Sequence, residues 1–88
     1  MWFITLSKFR HKPTKQELDK MTAYYAQIAK QGTKVNQVFW TLGRYDAVLI
    51  IEGKDEKSAL QSLMNSPIEI ATETLVAVPR EEATKLLK

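Results

Sequence analysis

The sequence predicts a ferredoxin-like α+β domain, with elements in the order β-α-β-β-α-β and a short C-terminal helix. Segments with an apolar period of two alternate with segments of helical period. In addition, residues 39–52 have the pattern of two strands joined by a glycine-led turn, and the second strand is apolar on both faces. The chain has 88 residues, of which 44% are hydrophobic and 26% charged, so we expect one domain over residues 1–88.

The first half of the chain predicts a strand and a helix. Residues 2–9 alternate as a half-buried strand, and Pro13 ends that pattern. Thr14 and Glu17 have the spacing of a capping box, so a helix is expected to begin there. Gly32 stands where a glycine commonly ends a helix.

The two middle strands, residues 35–42 and 45–52, are predicted to form a hairpin around Gly43-Arg44. Gly43 at the first central position favours a type II′ turn, in which it has positive φ. The face assigned to the helix-covered core then carries the pairs Leu42 with Tyr45, Trp40 with Ala47, and Val38 with Leu49. The face assigned to the open side carries Thr41 with Asp46, Phe39 with Val48, and Gln37 with Ile50.

The remainder predicts a second helix, a fourth strand and a helical tail. Asp55 is expected to cap the second helix, and residues 70–78 form the strand. Residues 80–88 are expected to form a short helix anchored by Leu86 and Leu87.

The predicted sheet has four strands in an antiparallel arrangement with both helices on one face. Strands 1 and 3 are expected at its centre, and we take these two to run parallel to each other. The open face is expected to carry an apolar patch made of Phe3, Thr5, Phe9, Phe39, Val48 and Ile50. Because a monomer rarely exposes such a patch, we expect a homodimer or higher homo-oligomer that uses it as its interface.

Four segments, in order along the chain, resemble the GYD domain family: Phe3-Ile4-Thr5-Leu6, Thr41-Leu42-Gly43-Arg44-Tyr45-Asp46, Ile51-Glu52 and Thr72-Glu73-Thr74-Leu75. The resemblance implies a dimeric α/β barrel in which two ferredoxin-like sheets pack face to face. The hairpin is also similar to that in the effector-sensing domain of leucine-responsive-type transcription regulators, where amino acids bind at an oligomer contact. This chain lacks the helix-turn-helix segment of those regulators.

Arg44, Tyr45 and Asp46 are the candidate ligand-binding residues, and Asp46 beside Arg44 has the chemistry to hold an amine. A turn of this kind also needs its own hydrogen bonds, so we favour a structural role for Asp46 and Tyr45. His11 is the only histidine. With strands 1 and 3 parallel, it would lie about 20 Å from Asp46, which excludes a dyad and makes Glu52 the nearer carboxylate.

Other functional classes have little support. One histidine and no cysteine predict no metal site, and no cofactor motif is present. The net charge of +3 is dispersed, and strand 3 has no aromatic residue in its middle, so no specific nucleic-acid binding is expected. No signal peptide or membrane-spanning segment is predicted, which makes the cytoplasm the expected location.

Two functions remain open. The first is an oligomeric small-ligand-binding or interaction module without catalytic activity, which we favour. The alternative is a cofactor-independent enzyme, such as a monooxygenase or isomerase, of a kind found on dimeric α/β barrels. Such an enzyme needs a titratable cluster in a pocket, and the predicted core face offers aromatic residues but no evident base.

Overall fold

The computed structural model describes residues 1–88 and has the predicted order of elements. The strands and helices are β1 (Trp2–Phe9), α1 (Lys15–Ala29), β2 (Thr33–Trp40), β3 (Ala47–Gly53), α2 (Glu56–Met64), β4 (Ile70–Ala77) and α3 (Arg80–Ala83). A 3₁₀ turn over Thr84–Leu86 follows α3. No helix combines the length and the hydropathy that crossing a membrane requires.

The four strands form one sheet in the order β2-β3-β1-β4, and every neighbouring pair is antiparallel. The prediction that strands 1 and 3 run parallel is therefore wrong. In a β-α-β-β unit the helix returns the chain so that strands 1 and 2 run the same way, and the hairpin then reverses strand 3. This reversal changes which side chains share an end of the sheet.

The predicted hairpin register is confirmed in the paired strands. Trp40 pairs with Ala47, Val38 with Leu49, Phe39 with Val48, and Gln37 with Ile50. A register shift occurs between Val35 and Gln37, where Asn36 is the extra residue. Alternation from these pairs places Val38 and Leu49 towards the helices and Val48 and Ile50 on the open face, as the sequence predicts.

The face assignment of β1 was wrong. Phe3 and Thr5 are 2% and 1% exposed, and Thr5 pairs with Leu49, so both residues lie on the helix-covered face. Phe9, two alternations further along, also packs against the core. Both sides of β1 are apolar enough to be buried, so its own pattern does not fix which side the helices cover. The open face of β1 carries Trp2, Ile4 and Leu6 instead.

The helix ends follow their predicted signals. Thr14 Oγ1 accepts a hydrogen bond from Glu17 N, and the Glu17 carboxylate accepts one from Thr14 N, which completes the capping box. Gly32 has φ of +98°, and Asp55 accepts a hydrogen bond from Ser58 N at the start of α2. The expected anchor of the tail is absent, because Leu86 and Leu87 are 75% and 80% exposed.

The packed core is small for this chain. Only ten of the 88 residues are buried, and the core cluster consists of Phe3, Ala47, Leu49, Ile51 and Ala59. Helix α1 packs on β2, and α2 packs on β2 and β3. Neither helix packs closely against β4, so this edge of the sheet is only loosely covered.

Candidate functional site

A cavity of about 590 Å³ lies between the sheet and the two long helices. The sheet forms its floor, since the side chains on the helix-facing side of all four strands line it. Residues of α1, α2 and the α2–β4 connection form its walls. The cavity extends to β4, against which neither helix packs closely.

Most of the lining is aliphatic or aromatic. Phe9 and Trp40 form one part of the floor and meet edge to face, with ring centroids 5.2 Å apart. Leu18, Met21 and Tyr25 line the cavity from α1. These side chains offer a large apolar surface for a ligand with rings or alkyl chains.

Apart from Thr33 on β2, the hydroxyl groups of the floor belong to Thr5 and Ser7 of β1 and to Thr72 and Thr74 of β4. We call these four residues the hydroxyl patch. The register pairs Thr5 with Thr74 and Ser7 with Thr72, and the hydroxyl oxygens of Thr5 and Thr74 lie 2.9 Å apart. Thr72 is exposed on the edge strand, so the cavity is open to solvent beside the patch.

Only three titratable side chains line the cavity: Tyr24, Tyr25 and Glu69. Burial raises the pKa of both tyrosines, and the hydroxyl of Tyr24 donates a hydrogen bond to Ser62 O. Glu69 is exposed and pairs with Arg10 at 3.5 Å. Both tyrosines are therefore neutral phenols at physiological pH.

Sequence reasoning did not identify this cavity. Of its floor aromatics, Trp40 was assigned to the core face and Phe3 and Phe9 to the open face. The space between helices and sheet depends on how far the helices lie from the strands. A signal was nevertheless present, because Thr5, Ser7, Thr72 and Thr74 repeat with a period of two on strands that are otherwise apolar on that side.

The predicted ligand-binding residues Arg44, Tyr45 and Asp46 lie together in the loop between β2 and β3 and do not line the cavity. The Asp46 carboxylate accepts a hydrogen bond from Phe9 N at 2.8 Å. The Arg44 guanidinium lies 5.6 Å from the centre of the Tyr45 ring, which is a cation–π distance. The role of these three residues in ligand binding stays a prediction.

The turn itself differs from the predicted two-residue hairpin. The strands end at Trp40 and begin again at Ala47, and the intervening loop is closed by a hydrogen bond from Thr41 N to Asp46 O at 2.9 Å. No backbone hydrogen bond joins Leu42 to Tyr45, so the pair expected there does not form. Gly43 has φ of +109°, which confirms the predicted positive φ within a wider loop.

His11 and Asp46 lie at the same end of the sheet, which corrects the expected separation of about 20 Å. The antiparallel direction of β1 and β3 brings the end of β1 beside the start of β3.

The partner of His11 is Glu17, since His11 Nε2 lies 3.1 Å from Glu17 Oε1. The pKa of the Glu17 carboxyl is lowered mainly by the hydrogen bond from the backbone N–H of Thr14, and to a smaller extent by the hydrogen bond with His11. Glu52 pairs with Trp2 at the opposite end, so it is not the carboxylate nearest His11.

The open face of the sheet carries a second distinctive surface, which we call the open-face patch. Its apolar members lie on all four strands, as the pairing registers show. They are Trp2, Ile4, Leu6, Phe39, Val48, Ile50 and Leu75. Phe3 is absent from this patch because it is buried on the helix-covered face.

Comparison with known proteins gives one match. The family model of the GYD domain matches residues 2–87, which is nearly the whole chain. No curated protein and no solved structure matches this chain. The matched range includes the hairpin loop, both faces of the sheet and every residue of the cavity lining. The chain therefore belongs to the GYD domain family.

Proposed function

We propose that the protein is a homodimeric small-ligand-binding module without catalytic activity, and that its ligand occupies the cavity between sheet and helices. The observation that carries this proposal is a cavity of about 590 Å³ in a chain with only ten buried residues. Protein interiors are normally close-packed, and empty apolar space loses dispersion contacts. Small-molecule sites usually measure roughly 300–1,000 Å³, so this volume suits a ligand that restores those contacts.

The lining supports binding more than catalysis. A general base works best with a pKa near the operating pH. Tyr24 and Tyr25 are held neutral by their raised pKa values, and Glu69 is exposed and paired with Arg10. A cofactor-independent enzyme would use the same cavity, but the cavity supplies no side chain suited to proton transfer at neutral pH.

The open-face patch supports the dimer. The centre of this patch consists of Val48 and Ile50 of β3 and Ile4 and Leu6 of β1. In a monomer these apolar side chains would face water. The resemblance to dimeric α/β barrels supports a second copy of the chain as the occupant. A contact between two such sheets would bury about 1,600 Å² in total, the standard size of a stable interface. In this arrangement the helices and their cavities face outward on both protomers.

The hairpin loop is the competing ligand site. Its strongest binding group, the Asp46 carboxylate, is already engaged by Phe9 N at 2.8 Å, and the loop is closed by its own hydrogen bonds. Using Asp46 for a ligand amine would weaken the link between the loop and β1. We therefore assign ligand binding to the cavity and a structural role to the loop.

The test is a fluorescence titration with N-phenyl-1-naphthylamine, an uncharged dye that emits strongly in apolar surroundings. Thr72→Trp places an indole at the open side of the cavity on an exposed position, so folding should be retained. Thr84→Trp makes the same replacement in the exposed tail, outside the cavity. Melting curves of both variants confirm that they are folded.

The proposal predicts that one dye molecule binds saturably to each wild-type chain. The affinity should be at least tenfold lower in Thr72→Trp than in the wild type and unchanged in Thr84→Trp. Absence of saturable binding would contradict it. Binding that Thr72→Trp leaves unchanged would also contradict it, because the dye would then occupy another surface such as the open-face patch.

A further inference from the structure

Almost none of the charged side chains of the chain line the cavity. The chain has thirteen Lys and Arg residues and one His, and none of them lines the cavity. Of ten Asp and Glu residues, only Glu69 does. Its side chain is 81% exposed and lies 3.5 Å from Arg10, so it belongs to the solvated rim. The interior of the cavity therefore contains no formal charge.

An uncharged interior selects strongly among ligands. A buried carboxylate, phosphate or ammonium needs a partner of opposite charge, because desolvating an unpaired ion costs several kcal/mol or more. The cavity provides no cation for an anionic ligand. It also provides no buried carboxylate for an amine, and amino acids would bring one charge of each sign.

The hydroxyl patch is the main cluster of polar side chains on the cavity floor. Each hydroxyl donates one hydrogen bond and accepts up to two, so the Thr5–Thr74 pair retains capacity beyond its mutual bond. Ser7 and Thr72 lie opposite each other on the same two strands. Such a patch can donate to a carbonyl or ether oxygen and can also accept from a hydroxyl. It matches uncharged polar groups.

We infer that the ligand is an uncharged, ring-containing apolar molecule whose hydroxyl, carbonyl or ether group lies at the hydroxyl patch. The inference rests on the proposed function, because it concerns the same cavity. Phe9, Trp40 and Tyr25 hold the ring system, and Thr5, Ser7, Thr72 and Thr74 orient its polar end. Amino acids and other charged metabolites are thereby excluded as cavity ligands.

The charge selectivity is tested with two dyes that share one skeleton. N-phenyl-1-naphthylamine is uncharged, and 1-anilinonaphthalene-8-sulfonate adds a sulfonate to the same rings. Leu18→Lys places a cation in the cavity wall from a position that is 37% exposed. Leu60→Lys adds the same charge to α2 at a position that is 57% exposed and outside the cavity.

The wild-type protein should bind the uncharged dye at least tenfold more tightly than the sulfonate. Leu18→Lys should reduce that preference at least tenfold, and Leu60→Lys should leave it unchanged. Equal or tighter binding of the sulfonate by the wild type would overturn the inference and leave cavity binding intact. Failure of both dyes to bind would instead overturn the proposed function itself.

The role of the hydroxyl patch is tested by competition of 1-naphthol and 1-methylnaphthalene, which have similar shapes, against the bound dye. Thr72→Val removes a patch hydroxyl and should shift the affinity ratio at least threefold towards 1-methylnaphthalene. Thr22→Val is the control, because Thr22 also lines the cavity but its hydroxyl donates to Leu18 O at 3.1 Å. A ratio that Thr72→Val leaves unchanged would overturn the assignment of the polar end.

Discussion

The Asp46 carboxylate accepts a hydrogen bond from the backbone N–H of Phe9, with 2.8 Å between Oδ2 and the nitrogen. A second hydrogen bond, from Asp46 N to Ser7 O, also measures 2.8 Å. Asp46 thus ties the β2–β3 loop to the last residues of β1, which lie next to it because β1 and β3 are antiparallel. Both hydrogen bonds give Asp46 a structural role in the loop.

Asp46→Asn should lower the free energy of unfolding by less than about 1 kcal/mol, because an amide oxygen can still accept from Phe9 N. Asp46→Ala removes the acceptor from a half-buried N–H and should cost about 1–3 kcal/mol. Urea denaturation measures both. If Asp46→Asn abolished binding of an amino acid while unfolding stayed unchanged, the loop would be a ligand site and our structural interpretation would be wrong.

Gly43→Val should lower the free energy of unfolding by about 1–3 kcal/mol, since a β-branched residue is strained at φ of +109°. A Cβ atom at this position would meet no atom within 4 Å outside the two neighbouring residues, so the backbone strain is the expected cause. Leu42→Val in the same exposed loop is the control and should change stability by less than about 0.5 kcal/mol. Equal effects of the two substitutions would show that the loop relaxes the strain.

Local signals along the chain predicted the fold well, and the exceptions share a physical cause. The capping box of Thr14 and Glu17 and the hairpin register depend on residues close in sequence, so they were predictable. The face on which Phe3 and Thr5 lie was not predictable, because both sides of β1 can be buried. Which side the helices cover depends on the pairing of β1 with β3. The cavity depends on the distance of two helices from the sheet, which no local pattern encodes.

Val48→Asp should convert the dimer that we propose into a monomer, because it would bury an unpaired carboxylate at the centre of the open-face patch. Light scattering should then give the chain mass of 10.1 kDa instead of twice that value. Val78→Asp makes the same change beyond β4, where the side chain is exposed, and should leave the dimer intact. A wild-type protein that is monomeric at micromolar concentration would contradict the dimer.

Acid should destabilise the fold through two helix caps. The backbone N–H of Thr14 donates a hydrogen bond to Glu17, which is the main reason that the pKa of this carboxyl lies below its ordinary value of 4.5. The backbone N–H of Ser58 lowers the pKa of Asp55 below its ordinary value of 3.8 in the same way. The stabilisation is complete above those ordinary values and is lost as the pH falls through the lower pKa of the folded state. Urea midpoints should therefore fall on acidification below about pH 4.5.

The double variant Glu17→Gln and Asp55→Asn keeps an acceptor oxygen at both caps and removes both titrations. Its stability should decline less steeply in acid than that of the wild type. Glu81→Gln in the exposed C-terminal helix is the control and should keep the wild-type acid slope. An unchanged slope in the double variant would show that other carboxyl groups govern acid unfolding.

The most direct test of ligand binding in the cavity uses adjacent methyl groups that point to opposite faces of the sheet. With N-phenyl-1-naphthylamine bound, intermolecular NOEs should connect its ring protons to methyls of Thr5, Leu49 and Ile51, which line the cavity. Methyls of Ile4, Val48 and Ile50 lie on the open face and should show none. NOEs to that second set alone would place the dye on the open-face patch and contradict the account.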